Sequence, residues 1–152
     1  MIPTQVFRYF PHFNGLPEEV LREIAKISNE RPFKAGERLF TEGNTATYFM
    51  LLKAGEVHIV YRIGDGSDVI ADTLVIGDPM AWSALLDPHR LTASGVASKD
   101  GILIEIEAEG LRRLCEDDKE FGYVMMKEVA KTLRSRLSAM RVQSAARIAE
   151  PG

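Results

Sequence analysis

Between Arg31 and Glu107 the chain carries glycine at positions 36, 43, 55, 64, 66, 77, 95 and 101. This punctuation limits the fold more than any other feature. The glycines separate short runs rich in Phe, Tyr, Val, Ile and Leu, and turn signals at intervals of roughly 8–12 residues mark an antiparallel sandwich or barrel. The strongest strand runs are Tyr48-Phe49-Met50-Leu51-Leu52 and Val57-His58-Ile59-Val60-Tyr61. Gly64-Asp65-Gly66 closes a hairpin onto the run from Val69 to Val75. The run from Gly101 to Ile106 alternates as a half-buried strand does.

Helical spacing flanks this region. Pro17, Glu18 and Glu19 supply a first-turn proline and two acids suited to the positive end of a helix dipole. Val20, Leu21, Ile24 and Ile27 follow at helical spacing, which predicts an amphipathic helix from 17 to about 28. A short helix is expected around Glu109–Cys115, then a long one from about Lys119 to Ala146. In the long helix Met126, Ala130, Leu133, Leu137, Met140 and Ser144 follow one another at alternating steps of four and three, a short heptad seam. One segment inside the β region does not read as strand. Gly77-Asp78-Pro79-Met80-Ala81-Trp82-Ser83-Ala84-Leu85-Leu86 opens with an N-cap residue and a proline and stops before Asp87-Pro88, which predicts two turns of inserted helix with Asp78 as its cap.

Composition narrows the class. The 152 residues, 45% hydrophobic and 27% charged, suit one globular domain able to bury a core without a staple. The single Cys115 excludes an internal disulfide, a Cys-ligated zinc site and a four-thiolate cluster; it reads as a buried small hydrophobe, since nothing pairs it with a base. No run of about 18 apolar residues occurs and the start lacks a secretory signature, so a cytoplasmic location without membrane insertion is expected. The net charge of −3 is unevenly spread: Lys119–Glu150 holds seven basic residues against three acids. A solvated helix face explains this surplus without nucleic acid.

The order of these parts, with Phe33, Gly36, Leu39-Phe40 and Glu42-Gly43 as an opening hairpin, Tyr48 through Gly55-Glu56-Val57 as a strand pair and Gly77 through Ala97 as a cassette, resembles the cyclic nucleotide-binding domain. The likeness covers residues 16 to about 142. The wording Trp82-Ser83-Ala84-Leu85-Leu86, with Thr92-Ala93 following, most resembles the sensor half of bacterial catabolite-activator and fumarate–nitrate-type regulators. The resemblance implies a mainly β fold with flanking helices, an antiparallel β-roll of jelly-roll type that carries the cassette helix. It implies a lead segment at 1–15, the roll domain at 16–118 and the long helix with its tail at 119–152. Those regulators continue into a helix-turn-helix domain, whereas this sequence stops at Gly152, so direct sequence-specific DNA reading is not expected.

In such a cassette, backbone N–H groups and an arginine hold a cyclic phosphate while an acid accepts from the ribose. Carried over, this makes Gly77, Asp78, Ala81, Ser83, Arg90, Thr92 and Ser94 the expected ligand contacts. Asp78 stands where the family has Glu, and Pro79 removes a donor. The family's phosphate arginine falls on Leu91, with Arg90 one position early, and in a strand one position reverses the face. The implied ligand is cyclic AMP, cyclic GMP or another small anion. No cofactor is required and no catalytic group is recognisable, which leaves a non-enzymatic sensor or, as the alternative, a dimerisation scaffold whose cassette no longer binds. A homodimer through Met126, Ala130, Leu133, Leu137 and Met140 is expected. His12, His58 and His89 lack the close ligand pair of a barrel metal site, and His58 or His89 as a haem ligand is a minor alternative. Trp82 reads either as core or as pocket wall.

Overall fold

The structure, a computed structural model, describes residues 2–149, with the side chains of 140 and 142–149 excepted. The described residues fall into two compact units that divide between Leu114 and Cys115. The first contains a 3-10 helix at Thr4–Tyr9, α1 (Glu18–Lys26), β1 (Ser28–Phe33), β2 (Arg38–Phe40), β3 (Tyr48–Arg62), β4 (Asp68–Leu74), β5 (Pro79–Met80), a second 3-10 helix at Trp82–Leu85 and β6 (Ser94–Glu107). α2 (Ala108–Asp117) and α3 (Lys119–Ala149) follow.

All pairings in the sheet are antiparallel, in the order β1-β6-β3-β4, with β2 also on β6 and β5 on β3. This is the expected glycine-turned roll, but its strands are longer than the sequence runs. The two runs at 48–52 and 57–61 are one strand, β3, whose pairing with β6 shifts between Leu52 and Val57 instead of breaking. Gly55 sits in that irregularity at φ 96°, where an added Cβ would lie 2.7 Å from the Asp100 carbonyl oxygen. Opposite it, a Cβ on Gly101 would lie 2.0 Å from the Ala54 carbonyl oxygen. The two backbones therefore approach closely enough to keep pairing through the bend.

Alternation along β3 divides the core. Phe49 and Leu51 are fully buried and turn to the side of Phe13, the rings of Phe13 and Phe49 lying 6.4 Å apart. Phe7, Phe10 and Phe13 of the lead segment are all buried, a contribution that its sequence pattern does not announce. Arg8 donates to the carbonyls of Asn14 and Leu16 at 2.7 Å and pairs with Glu18 at 3.1 Å, so this segment is tied to the start of α1. α1 buries Leu21, Ile24 and Ala25 and carries Glu18 and Glu19 in its first turn and Lys26 in its last, as the dipole favours.

The inserted helix is a correction. Only Trp82–Leu85 is helical, as a single 3-10 turn, because Pro79 and Met80 are drawn into β5 against Leu51 and Met50. Ala81 then takes the left-handed conformation at φ 64°, which prevents a helix from running through from 78. Ala81, not Asp78, holds the N-cap position, with no side-chain cap bond. Trp82 is core, edge-on to Phe49 at 4.9 Å between ring centroids.

In the second unit, Asp118 accepts from the Phe121 N–H at 3.1 Å and so caps α3. Phe121, Met125 and Val129 are buried at helical spacing, whereas Tyr123, Met126, Leu133 and Leu137 are exposed. Ala130 is exposed as well. Met140 lies outside the residues whose side chains are described, as does Ser144.

Candidate functional site

A cavity of about 420 Å³ opens in the roll. β1 contributes Arg31, β2 contributes Arg38, Leu39 and Phe40, and the loop into β3 contributes Thr41 and Asn44–Thr47; Tyr48, Met50 and Glu105 complete the sheet wall. The cassette closes it with Ala81 and Leu91. The volume lies in the range of small-molecule sites.

The backbone explains why Leu91 and not Arg90 faces this space. Residues 89–91 run antiparallel to 43–46: Ala46 donates to the His89 carbonyl at 2.7 Å, Leu91 to that of Asn44 at 2.9 Å, and Gly43 to that of Leu91 at 2.8 Å. Neighbouring side chains on such a segment point to opposite faces. Leu91 is buried on the cavity wall, and Arg90 is exposed, with its guanidinium donating to the Gly43 carbonyl at 3.2 Å.

Of the other expected contacts, Ala81 lines the cavity and Ser94 lines a smaller neighbour of about 80 Å³ with Arg38, Thr41, Glu42, Arg62 and Asp68. Ser94 is buried and its hydroxyl accepts from the Glu42 N–H at 2.8 Å. Gly77, Asp78, Ser83, Arg90 and Thr92 line neither space. The start of the cassette is spent on β3 and on its own turn. Gly77 N–H donates to the Leu52 carbonyl at 2.9 Å and Asp78 N–H to that of Val75 at 3.0 Å. The Asp78 carboxylate accepts from the Val75 N–H at 2.9 Å, which replaces the helix-cap role expected of it.

The charges of the site come from residues that the sequence reading passed over. Arg31 pairs with Glu37 at 2.5 Å and reaches Glu105 at 3.6 Å. Arg38 pairs with Asp68 at 3.1 Å, and Asp68 also lies 3.8 Å from Arg62. Burial holds the Glu105 carboxyl above its ordinary pKa, with Arg31 opposing that shift. Arg112 of α2 donates to the Ala84 carbonyl at 2.6 Å and so fastens the cassette turn to the helix that follows the roll. Neither Arg31 nor Arg38 carried a sequence signal: Arg31 stands in the polar run Ser28-Asn29-Glu30-Arg31 and Arg38 at the first position of a three-residue strand, both of which periodicity reads as outward.

His12 lies beside Trp82, His58 on β3 and His89 in the loop before Arg90. Among the described residues no group of three or more His, Cys, Asp or Glu side chains is placed to hold a metal ion. No described helix is long and apolar enough to cross a membrane.

Residues 30–118 match the family described as the cyclic nucleotide-binding domain. A candidate cyclic nucleotide-binding protein of Geobacter metallireducens is 33% identical, with a TM-score of 0.79 over 90% of this chain and 99% of that one. The sensor domain of the transcriptional regulator DNR of Pseudomonas aeruginosa, 19% identical, superposes at 0.75 over 89% of this chain and 91% of its own. The Thermus thermophilus catabolite activator protein, 22% identical, does so at 0.74 over 88% of this chain and 63% of its own. The last two show the fold; the family match and the Geobacter relative show the family. The chain belongs to the cyclic nucleotide-binding domain family.

Proposed function

We propose that this protein is a non-enzymatic ligand sensor acting in the cytoplasm, whose small-molecule ligand enters the roll cavity and whose output is α3. The observation that carries this reading is the 420 Å³ space walled partly by the cassette through Ala81 and Leu91. Ligand binding acts as a population shift, favouring whichever arrangement of the chain the ligand holds better. Two copies pair along the exposed stripe of Met126, Ala130, Leu133 and Leu137, continued by Met140 in the sequence. Cyclic AMP, cyclic GMP and smaller anions are the ligands to compare.

Titration calorimetry on the wild type and Leu91→Arg tests the reading. The substitution places a guanidinium on the cavity wall at the family's arginine position, and cyclic AMP affinity should rise about tenfold or more. A rise supports a cavity that still accepts a nucleotide. The second reading, a scaffold without a ligand, is favoured by Leu91 itself and by the Gly77 and Asp78 N–H groups being committed to protein carbonyls. No binding of any of these compounds to either protein, with the dimer intact, would establish the scaffold.

A further inference from the structure

The lining of the cavity contains two guanidinium groups, and they differ in what their release would leave behind. Arg31 is held by Glu37 and lies beside Glu105, a carboxylate already disfavoured by burial. Turning Arg31 toward a ligand would strand both acids. Arg38 is held by Asp68, which has Arg62 as a second cation at 3.8 Å. Arg38 can therefore leave Asp68 without creating an unpaired charge. It also stands on the boundary of the two spaces, since Arg38 and Thr41 line both. Leu39, Met50, Ala81 and Leu91 give the larger space an apolar wall.

Building on the sensor reading, we propose that Arg38 is the anchor for a small organic oxyanion, a carboxylate or phosphate, whose apolar body lies on Leu39, Met50, Ala81 and Leu91. The Asp68 carboxylate occupies the guanidinium until the ligand's own oxyanion takes its place, and the Thr41 hydroxyl donates beside it. Asp68 then rests on Arg62. The exchange trades one carboxylate–guanidinium pair for another, so Asp68 competes with the ligand for Arg38 and the selectivity comes from the apolar body.

The test is an NMR titration of the full chain with benzoate and with phenyl phosphate, in parallel with cyclic AMP. Arg38→Gln should weaken the better probe by about tenfold. Asp68→Asn should tighten it by about two- to fivefold, because the internal competitor is gone. Arg90→Gln should leave it unchanged, and Leu91→Trp, which fills the cavity, should abolish it. The stronger of the two probes identifies the ligand as carboxylate or phosphate. Binding that is lost in Leu91→Trp but unaffected by Arg38→Gln overturns the anchor and leaves the cavity as the ligand site. Failure of both probes to bind wild type and Asp68→Asn overturns the oxyanion assignment, and the cyclic AMP arm then judges the sensor reading separately. Retention of full stability by Arg38→Gln in urea unfolding guards the comparison against a folding defect.

Discussion

Glu105 lies on β6 with little of its carboxyl reaching solvent, and burial raises its pKa despite Arg31 at 3.6 Å. An acid whose folded pKa exceeds its unfolded value contributes stability that is fully present below the unfolded pKa and lost as pH rises through the folded one. Glu105→Gln removes this ionisation. The variant should be at least as stable as wild type at pH 7, and the difference should close as pH falls toward the ordinary carboxylate range near ~4. Urea unfolding at several pH values reads this directly, and a wild type that is clearly the more stable at pH 7 would show that Arg31 outweighs desolvation. Cys115 is a second test at this scale. Burial, with Asp118 and Glu116 nearby, pushes its thiol up to about 11. Since the thiolate is the nucleophile, iodoacetamide at pH 7.5 should modify Cys115 at least about tenfold more slowly than a free thiol of pKa ~8.5. Rapid labelling timed by mass spectrometry would contradict that environment.

At the scale of elements, the roll depends on close backbone approach where β1, β3 and β6 meet. A Cβ on Gly101 would stand 2.0 Å from the Ala54 carbonyl oxygen and 2.6 Å from the Phe33 ring. The ring can turn, but the carbonyl belongs to a paired strand and cannot yield without disturbing the ladder. Gly101→Ala should therefore cost at least the ~1–3 kcal/mol typical of overpacking, measured by chemical denaturation. Gly15→Ala, where nothing lies within 4 Å, is the matching control and should change stability little. The cassette shows the same dominance of context over local pattern. Asp78-Pro79 at the head of an apolar run is a helix start by local rules, yet β3 captures 79–80 as a strand and leaves one 3-10 turn.

For the whole molecule, the exposed stripe on α3 is the feature with the largest consequence. Leu133 and Leu137 are about half exposed in the single chain, at 49% and 52%, one helical turn apart. Replacing both by Glu would set unpaired charge in an apolar interface, and a dimer should become a monomer in light scattering. Both side chains are exposed, so the fold itself should survive, with unchanged circular dichroism of the β region. A wild type that is monomeric, or a double variant that stays dimeric, would remove pairing from the proposed function.

Most of the architecture was legible because it follows from short-range rules. Gly36, Gly43, Gly64, Gly66 and Gly77 mark turns of the roll, whereas Gly55, Gly95 and Gly101 lie inside β3 and β6; the 3.6-residue period marks α1 and α3, and alternation sets Arg90 and Leu91 on opposite faces. What only the tertiary structure decided is where distant residues converge. Tyr48–Arg62 runs as a single strand because β6 continues to pair with it past Gly55, and nothing within the strand's own sequence specifies that. Phe7, Phe10 and Phe13 join the core because the lead segment folds back beside Phe49. Arg31, Arg38, Glu105 and Asp68 belong to four different strands, and their charges meet only when the sheet closes. A local pattern states which face a side chain takes; which other face it meets depends on strand order and register, and these are set by burial summed over the whole chain.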